Sequence, residues 1–424
     1  MGPAWTLWRW RGNFARYWAA LTISGVGSGI SLIALPILAA EELRASSLEV
    51  GYLRAAETVP YLLLAILVGA LVDRSEPRRL MIIADLSRAV LMALIPILLG
   101  ISALNFTLLL VIAGLSGSLT VLFDVAQFRL LPELVAPKRQ TQANATLELT
   151  RGATATSGPG IGGFAIGSIG PALAVLFDAF SFLVSIVFLS AVRLRSAEGG
   201  TARRPAPANK SLSESVSFLF RNRLLRPMTL YLGVNNLLTQ AFITALIAGL
   251  EIEQKVAPAF LGIVLGSYGA GFMTGAIAAP RMNRFGAGRT VIASSILGGT
   301  GITAVGASLL AFGPANFGIG AGAFAVGVAG PLFNVPNIVL RLTMTPSSRL
   351  GSITALVKLI SQGALALGAV GGGAMVGSLG SGPAFFILGG LSLLATIILI
   401  LSPINRISDL SSKEEVVRVS APQP

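Results

Sequence analysis

The sequence predicts an all-α membrane protein with twelve transmembrane helices, arranged as two pseudo-symmetric bundles of six. Three observations predict this fold: an apolar composition, twelve apolar segments of membrane-spanning length, and a weak repeat of the first half in the second. Of the 424 residues, 54% are hydrophobic and 12% are charged, and the mean hydropathy is +0.79. Soluble domains carry about 25% charged residues, so much of this surface must face lipid.

The composition also excludes several kinds of chemistry. The chain has no Cys and no His, which removes disulfides, thiolate nucleophiles and histidine-based relays or zinc sites. It has no GxxxxGK[ST] loop for ATP hydrolysis, so we expect an ion gradient, and no cofactor, to supply the energy. The predicted spans carry no paired-carboxylate or metal motif, so we do not expect an enzyme. The net charge of +13 arises in short loops, which disfavours nucleic acid as a partner.

A membrane-spanning helix needs about 20 mostly apolar residues. Twelve segments of the chain satisfy this requirement: 14–40, 48–72, 79–101, 105–129, 141–167, 171–192, 227–250, 259–280, 290–312, 314–340, 350–377 and 380–402. Most of the 31 Lys and Arg residues lie near the N-terminus, the even-to-odd loops or the C-terminus. Because cytoplasmic loops carry such an excess, we expect a multi-pass protein of the inner cell membrane with both termini in the cytoplasm.

The longest polar stretch, residues 193–226, divides the chain. It is rich in Arg, Pro, Ala and Ser and predicts a cytoplasmic linker with an amphipathic piece at 213–220. The linker separates an N-terminal six-helix bundle, residues 1–192, from a C-terminal bundle with a cytoplasmic tail, residues 227–424.

The two bundles share a weak sequence repeat. At an offset of 210 residues, Phe123 matches Phe333 and Asp124 matches Asn334. Because six spans, an even number, lie between matching positions, both copies should have the same orientation in the membrane. Parallel repeats of this kind are a known transporter architecture.

The stretch "GALVDRSEPRR" (69–79) follows the second span and carries a sudden cluster of charges. Its Gly69, Asp73, Arg74, Arg78 and Arg79 resemble the GxxxDRxGRR-like signature of the major facilitator superfamily. Two further stretches, "RRLMIIADLSRA" and "LLPELVAPKRQTQANA", resemble the drug:proton antiporter branch of the macrolide-efflux and enterobactin-exporter type. The resemblance covers essentially the whole chain, and it implies the major facilitator fold.

In that family the signature lies where the two halves meet. The resemblance therefore implies a cytoplasmic latch, and the residue types suit one. Gly69 lets helices approach closely, Asp73 can accept from a helix N-terminus in the other half, and the arginines can bridge to a carboxylate such as Asp124. The family's second glycine and next basic residue are replaced by Glu76 and Pro77, so the loop should turn differently. The positive-inside rule alone also predicts bases here, and the latch and the topology signal remain alternatives.

A second signature, "GATATSGPGIGG" (152–163), lies in span five. It resembles the antiporter motif GxxxGPxxGG, with Gly158, Pro159, Gly162 and Gly163 in place. The proline removes a backbone hydrogen bond and bends the helix, and the glycines provide a flat face for tight packing. In the family this motif accompanies export. A generic glycine-rich packing face is the alternative interpretation.

Polar residues recur at helical spacing in the spans that line the central cavity in this superfamily. We expect a small-molecule substrate to contact Ser28 in span one, Thr120 in span four, and Asn236 and Gln240 in span seven. Mixed hydroxyl, amide and apolar groups suit an amphipathic organic solute. For each hydroxyl, a hydrogen bond to its own helix is the alternative.

Charged residues on spans five and eleven extend this set of candidates. Arg151 lies three residues after Glu148 and can pair with it. Lys358 takes the position of Glu148 in the repeat and shares a helix face with Gln362. We predict Arg151, Lys358 and Gln362 as further cavity residues.

Buried carboxylates are the candidates for proton coupling, because a charge near the bilayer centre costs about 2.5–3.5 kcal/mol and needs a partner or a purpose. Glu57 in span two is the first choice, Asp178 in span six the second, and Glu148 a further candidate. The alternatives are an ion pair between Glu57 and Arg54, and a helix–helix hydrogen bond for Asp178.

Together these features predict a proton-coupled secondary transporter that exports hydrophobic or amphipathic small molecules. The two bundles would rock about a midplane cavity and expose it to each side in turn. We expect a monomer in the lipid bilayer. A lipid or glycolipid translocator on the same fold is the alternative, which lateral openings and a very apolar cavity would favour.

Overall fold

A computed structural model describes residues 12–193, 212–282, 286–346 and 349–406. These ranges are almost entirely helical and contain no β-strand. Their α-helices are α1 (Asn13–Glu41), α2 (Ser47–Asp73), α3 (Pro77–Gly100), α4 (Phe106–Leu134), α5 (Pro137–Ile169), α6 (Pro171–Ser190), α7 (Leu212–Arg221), α8 (Leu225–Ala248), α9 (Pro258–Met282), α10 (Ala287–Phe312), α11 (Phe317–Met344), α12 (Leu350–Leu379) and α13 (Ser381–Ile400). A π-helical turn, Gly249–Glu253, extends α8, and a 3₁₀ turn, Pro403–Arg406, follows α13.

Each of the twelve predicted spans coincides with one long helix, with ends that differ by a few residues. Among the described residues, ten helices are long and apolar enough to cross a membrane, and eleven if the bent helix α2 is one span. The remaining long helix, α5, is 33 residues long. Its first half is rich in Lys, Arg, Gln and Thr, which lowers its hydropathy. The count is therefore close to the predicted twelve.

The repeat predicted from the sequence is present in the backbone. Arg44 and Lys255, which follow the first helix of each half, have φ angles of 54° and 52°. Positive φ is uncommon for residues other than glycine. Gly170 and Gly380, which precede α6 and α13, both have φ 81° and ψ 162°. These matching turns are 211 and 210 residues apart, and they indicate that the two halves are copies of one six-helix plan.

The described residues form two compact units. The first unit comprises α1–α6 and the segment Val256–Gly266, which includes the first turns of α9. The second unit comprises α7, α8, the rest of α9 and α10–α13. The short helix α7 lies within the predicted linker and packs into the second unit through Leu219, which is fully buried. Residues 194–211 of that linker lie outside the described residues.

Glycine brings two helices together at matched positions within each unit. A Cβ atom added to Gly158 of α5 would lie 2.7 Å from the Cα atom of Gly29 in α1. A Cβ atom added to Gly368 of α12 would lie 2.1 Å from the carbonyl oxygen of Leu237 in α8. Small residues allow such close approach in membranes, where hydrophobic burial does not drive helix association. Gly158 and Gly368 are 210 residues apart, so this contact belongs to the repeat.

Candidate functional site

A cavity of about 170 Å³ lies inside the first unit, between α1, α3, α4 and α5. Its walls combine charged, amide, hydroxyl and apolar side chains. The lining residues are Leu21, Ser24, Gly25, Ser28, Arg88, Thr120, Phe123, Asp124, Gln127, Leu147, Thr150, Arg151 and Thr154. Such a lining offers hydrogen-bond donors and acceptors, charges of both signs and an aromatic face, which together suit an amphipathic solute.

Three of the predicted cavity residues, Ser28, Thr120 and Arg151, line this cavity. The Thr120 hydroxyl donates to the carbonyl oxygen of Ser116 at 2.9 Å, as the helix-bonding alternative predicts. The guanidinium carbon of Arg151 lies 5.6 Å from the centre of the Phe128 ring. The polar lining of α1, α4 and α5 thus follows the spacing seen in the sequence.

Asp124 also lines the cavity, and here the structure corrects the prediction. Its carboxylate accepts a hydrogen bond from the hydroxyl of Tyr61 in α2, and not from the arginines after the second span. Asp124 lies ten residues before the end of α4 at Leu134. At 1.5 Å per residue this is about 15 Å from the helix end. The Asp124 carboxylate is therefore nearly three turns inside α4, and the hydrogen bond from Tyr61 replaces the predicted bridge to the loop.

Those bases have other partners. Arg78 donates to the carbonyl oxygen of Val192 at 2.7 Å, and Arg79 pairs with Glu76 at 2.6 Å. Arg74 is exposed at the end of α2. Each of these contacts joins the loop between α2 and α3 to itself or to the end of α6, so the arginines organise one end of the first unit.

Asp73 pairs with a side chain of its own unit. Its carboxylate accepts from Arg129 of α4 at 3.0 Å, and Arg129 also donates to the carbonyl oxygen of Val72 at 2.6 Å. Among the described residues, no atom lies within 4 Å of a Cβ added to Gly69. Gly69 thus makes no close contact within the described part of the chain, and the latch stays a prediction.

A buried ion pair in α3 was not predicted from the sequence. Asp85 and Arg88 form a salt bridge, with 0% and 6% of their side chains exposed. Ser185 of α6 donates to the second carboxylate oxygen of Asp85 at 2.7 Å. The signal was present in the sequence, because an acid and a base three residues apart within an apolar span can pair on one helix face.

Arg88 connects this pair to the cavity. Its guanidinium carbon lies 4.6 Å from the centre of the Phe123 ring and 4.3 Å from that of Phe182. Both distances are within the range of cation–π attraction. One guanidinium nitrogen of Arg88 lies 3.5 Å from the Thr120 hydroxyl. Arg88 is therefore held on four sides, with one edge at the cavity wall.

The proton-coupling candidates have different surroundings. Asp178 in α6 is buried, and its carboxylate accepts from the hydroxyls of Ser28 at 3.4 Å and Ser181 at 3.3 Å. Glu57 in α2 pairs with Arg54, which is the alternative given for it above. The side chain of Glu148 lies outside the described residues. Asp178 thus has neutral hydroxyl partners, whereas Glu57 has a cationic one.

The glycines of the antiporter motif lie at helix contacts. Gly158 faces Gly29 of α1, as described above. A Cβ atom added to Gly162 would lie 3.0 Å from the Cα atom of Ile30. A Cβ atom added to Gly163 would lie 2.8 Å from the Cα atom of Gly262, in the segment of α9 that belongs to the first unit. Pro159 lies inside α5 between these contacts.

The second unit carries the remaining predicted cavity residues. Asn236 of α8 donates a hydrogen bond to the Ser361 hydroxyl of α12. Gln240 is buried, and its amide nitrogen has no hydrogen-bond partner among the described residues. Lys358 is exposed on α12, and Gln362 is partly buried one turn later. None of the four lies in the cavity of the first unit.

In the described part of the chain, no cluster of three or more Asp and Glu side chains could hold a metal ion. The cavity of the first unit contains a single acid, Asp124. Hard cations prefer several oxygen ligands. The lining therefore suits an organic solute better than a metal ion.

Comparisons with known proteins agree with the fold. A sequence model of the Major Facilitator Superfamily (MFS) matches residues 17–296. The chain is 28% identical over 412 residues to the multidrug efflux pump Tap of Mycolicibacterium fortuitum, covering 93% of this chain and 96% of Tap. It is 25% identical over 394 residues to YfiS, an uncharacterized MFS-type transporter of Bacillus subtilis (strain 168), covering 90% of each. A bacterial homologue of the iron transporter ferroportin is similar in fold, with a TM-score of 0.72, 15% identity and coverage of 93% and 98%.

Proposed function

The chain belongs to the major facilitator superfamily and is a membrane transporter rather than an enzyme, and on this premise we propose that it exports hydrophobic or amphipathic small molecules in exchange for protons. The observation that carries the proposal is the mixed lining of the cavity in the first unit. The similarity to a multidrug efflux pump along 93% of the chain supports the same conclusion.

The cavity chemistry defines the class of solute. Asp124 attracts a cationic or hydrogen-bond-donating group, and Phe123 offers an aromatic surface to an apolar ring. Arg151 and Gln127 supply donors for carbonyl or hydroxyl oxygens. The cavity holds about 170 Å³, which is less than the roughly 300–1,000 Å³ of most ligand sites. It would therefore receive one ring system or polar headgroup of a larger solute.

Asp178 is the proposed proton carrier, ahead of Glu57. A carboxylate paired with arginine is stabilised in its charged form, whereas one with hydroxyl partners can be neutral or charged, because a hydroxyl can accept or donate. The charged group that acts on Asp178 from a neighbouring helix is Arg88. Ser28 both contacts Asp178 and lines the cavity. Protonation of Asp178 would reverse the Ser28 hydrogen bond and so change the cavity wall.

A lipid or glycolipid translocator is the less favoured alternative. A translocated lipid would require a very apolar cavity, whereas this lining contains Arg88, Asp124 and Arg151. Energy from the proton gradient and alternating access of the two bundles complete the proposal, as they do for secondary transporters built from parallel repeats.

Transport into proteoliposomes with an acidic lumen tests this function. Wild-type protein is expected to accumulate a lipophilic cationic dye, and accumulation should stop when an ionophore removes the pH gradient. Asp178→Asn should abolish gradient-driven accumulation while dye binding to the purified protein persists. Glu57→Gln is the matched control, because it neutralises another carboxylate of the first unit without touching Asp178 or Ser28.

Two results would contradict the proposal. If wild-type vesicles accumulate no solute from a panel of dyes and antibiotics, proton-coupled export is wrong. If Glu57→Gln abolishes the pH drive and Asp178→Asn does not, export stands but the proton carrier is Glu57.

A further inference from the structure

A second cavity lies at one end of the second unit. It has a volume of about 460 Å³ and is formed by the end of α7, the start of α8 and the end of α13. Arginine and apolar side chains dominate its walls. The lining residues are Phe220, Arg221, Asn222, Arg223, Arg226, Pro227, Leu230, Ile398, Leu401, Ser402 and Pro403.

Three arginines, Arg221, Arg223 and Arg226, converge on this cavity from six consecutive positions. All three are exposed. Within the described ranges, no carboxylate forms an ion pair with any of them. Guanidinium groups bind phosphate through paired, charge-assisted hydrogen bonds. The cavity therefore has the donors and the positive charge that a phosphate group needs.

The segment that carries the arginines is fixed. Leu219 and Leu224, on either side of Arg221 and Arg223, are fully buried in the core of the second unit. The side chain of Asn222 accepts from the backbone N–H groups of Leu224 and Leu225, both at 2.9 Å, at the start of α8. The fixed backbone holds the Cα atoms of the three arginines in place before any ligand binds, so the backbone adds little to the entropic cost of binding.

Apolar side chains continue from the arginines toward the membrane. Leu230 lies one turn into α8 and is 43% exposed, and Leu401, just after α13, is 81% exposed. Ile398 lies two residues before the end of α13 and also lines the cavity. Basic groups at the start of α8, with apolar groups of α8 and of the end of α13 beside them, match a lipid with its headgroup at the interface and its chains in hydrocarbon.

We propose that this cavity binds the phosphate headgroup of an anionic phospholipid, with an acyl chain along Leu230 and Leu401. The loop charges predict that this end of the second unit faces the cytoplasm, where the leaflet is negatively charged. Basic pockets between transmembrane helices are known to hold such headgroups. The proposal concerns the second unit alone and does not depend on which solute the transporter exports.

Native mass spectrometry of the purified full chain with equal amounts of phosphatidylglycerol and phosphatidylcholine tests the proposal. Wild-type protein should retain phosphatidylglycerol selectively. Arg223→Gln/Arg226→Gln should lower this retention roughly 30-fold, since each arginine near an anionic surface contributes a factor of about five. Arg281→Gln/Arg289→Gln is the matched control, because it removes two exposed arginines of the second unit outside the cavity, and it should retain the lipid.

Several outcomes would overturn the proposal. One is an equal loss of phosphatidylglycerol in both glutamine double variants. Another is that the wild type retains phosphatidylcholine as well as phosphatidylglycerol, and a third is that it retains no phospholipid. Displacement of the lipid by millimolar inorganic phosphate would identify a site for the free anion instead. Arg223→Lys/Arg226→Lys should keep part of the selectivity, because lysine preserves the charge but not the paired hydrogen bonds, and it also shows whether the glutamine variant lost binding by misfolding.

Discussion

At matching positions, 210 residues apart, the first unit has Asp85 in α3 and the second has Ser295 in α10. Asp85 pairs with Arg88 and accepts from Ser185 of α6, which builds a buried charged network. Ser295 and Thr396 of α13 instead share one hydroxyl–hydroxyl hydrogen bond of 2.7 Å. The hydrogen bond between α3 and α6 therefore involves a charged carboxylate, whereas the one between α10 and α13 joins two neutral hydroxyls.

The same contrast recurs at the other acids of the first unit. In the repeat, Asp178 corresponds to Leu388 and Asp124 to Asn334. The packing glycines and the positive-φ turns are present in both copies, whereas these acids are present in one. Because a charge in hydrocarbon is expensive, an intramembrane charge indicates function. The fold is therefore shared by both units, whereas Asp85, Asp124 and Asp178 occur in the first unit alone.

The largest expected effect comes from breaking the buried ion pair. Arg88→Ala should lower the free energy of unfolding by about 3–5 kcal/mol, because it leaves the Asp85 carboxylate buried without its counter-charge. Ser295→Ala, at the corresponding pair in the second unit, should cost only about 0.5–1.5 kcal/mol, the value of one neutral hydrogen bond. Unfolding in mixed micelles by SDS titration would measure both changes.

A double variant tests whether the unpaired charge of Asp85 causes the loss of stability in Arg88→Ala. Asp85→Asn/Arg88→Ala removes the carboxylate as well, so it should be more stable than Arg88→Ala alone. Equal destabilisation of the single and double variants would mean that lost packing against Phe123 and Phe182, rather than the charge, determines the stability.

The next largest effect concerns the glycine contacts between helices that both units share. Gly158→Ala and Gly368→Ala should each destabilise the protein by about 1–3 kcal/mol, because both contacts leave no room for a methyl group. Gly160→Ala and Gly371→Ala are the matched controls on the same helices, where an added Cβ atom meets nothing within 4 Å of the described structure. These controls should be neutral or slightly stabilising, since alanine favours helix.

Thermal unfolding in detergent would rank the four glycine variants. If Gly158→Ala is destabilising and Gly368→Ala is not, the glycine contact is a property of the antiporter motif and not of the repeat. A loss of transport confined to Gly158→Ala, with equal stability losses in both, would instead separate a functional role from the shared packing role.

The fold could be predicted largely from the sequence because its signals are local and periodic. Apolar segments of spanning length located the twelve long helices, and glycines such as Gly158 and Gly162 marked a helix contact. The repeat could be recognised from the match of Phe123 with Phe333 and from a few matching neighbours. The polar first half of α5 was also assigned to a helix, although hydropathy by itself does not select α5 as a span.

The site was less predictable because its contacts join different helices. Asp124 was assigned to the loop arginines from its charge, yet Tyr61, 63 residues earlier in the chain, is its partner. The pairing of Asp85 with Arg88 is local and could have been recognised, whereas Ser185 lies 100 residues away. Periodicity indicates which residues share a helix face, but the neighbour of that face is set by tertiary packing.

The smallest expected effect on stability concerns the exposed ion pair between Asp73 and Arg129 of the first unit. Asp73→Asn removes an ion pair with Arg129, whose side chains are 58% and 35% exposed. Such pairs contribute about 0–1 kcal/mol, and Arg129 keeps its hydrogen bond to the Val72 carbonyl. We expect the midpoint of SDS unfolding to change little.

Transport should nevertheless slow if Asp73 belongs to a latch, because a latch acts on the rate of conformational change and not on the stability of one state. Glu76→Gln is the matched control, since it removes the acid of another exposed ion pair in the same loop. Slow transport in Asp73→Asn alone would support the latch. Normal rates in both variants would leave the loop as a topology signal, because that signal depends on the bases and hardly on the acids.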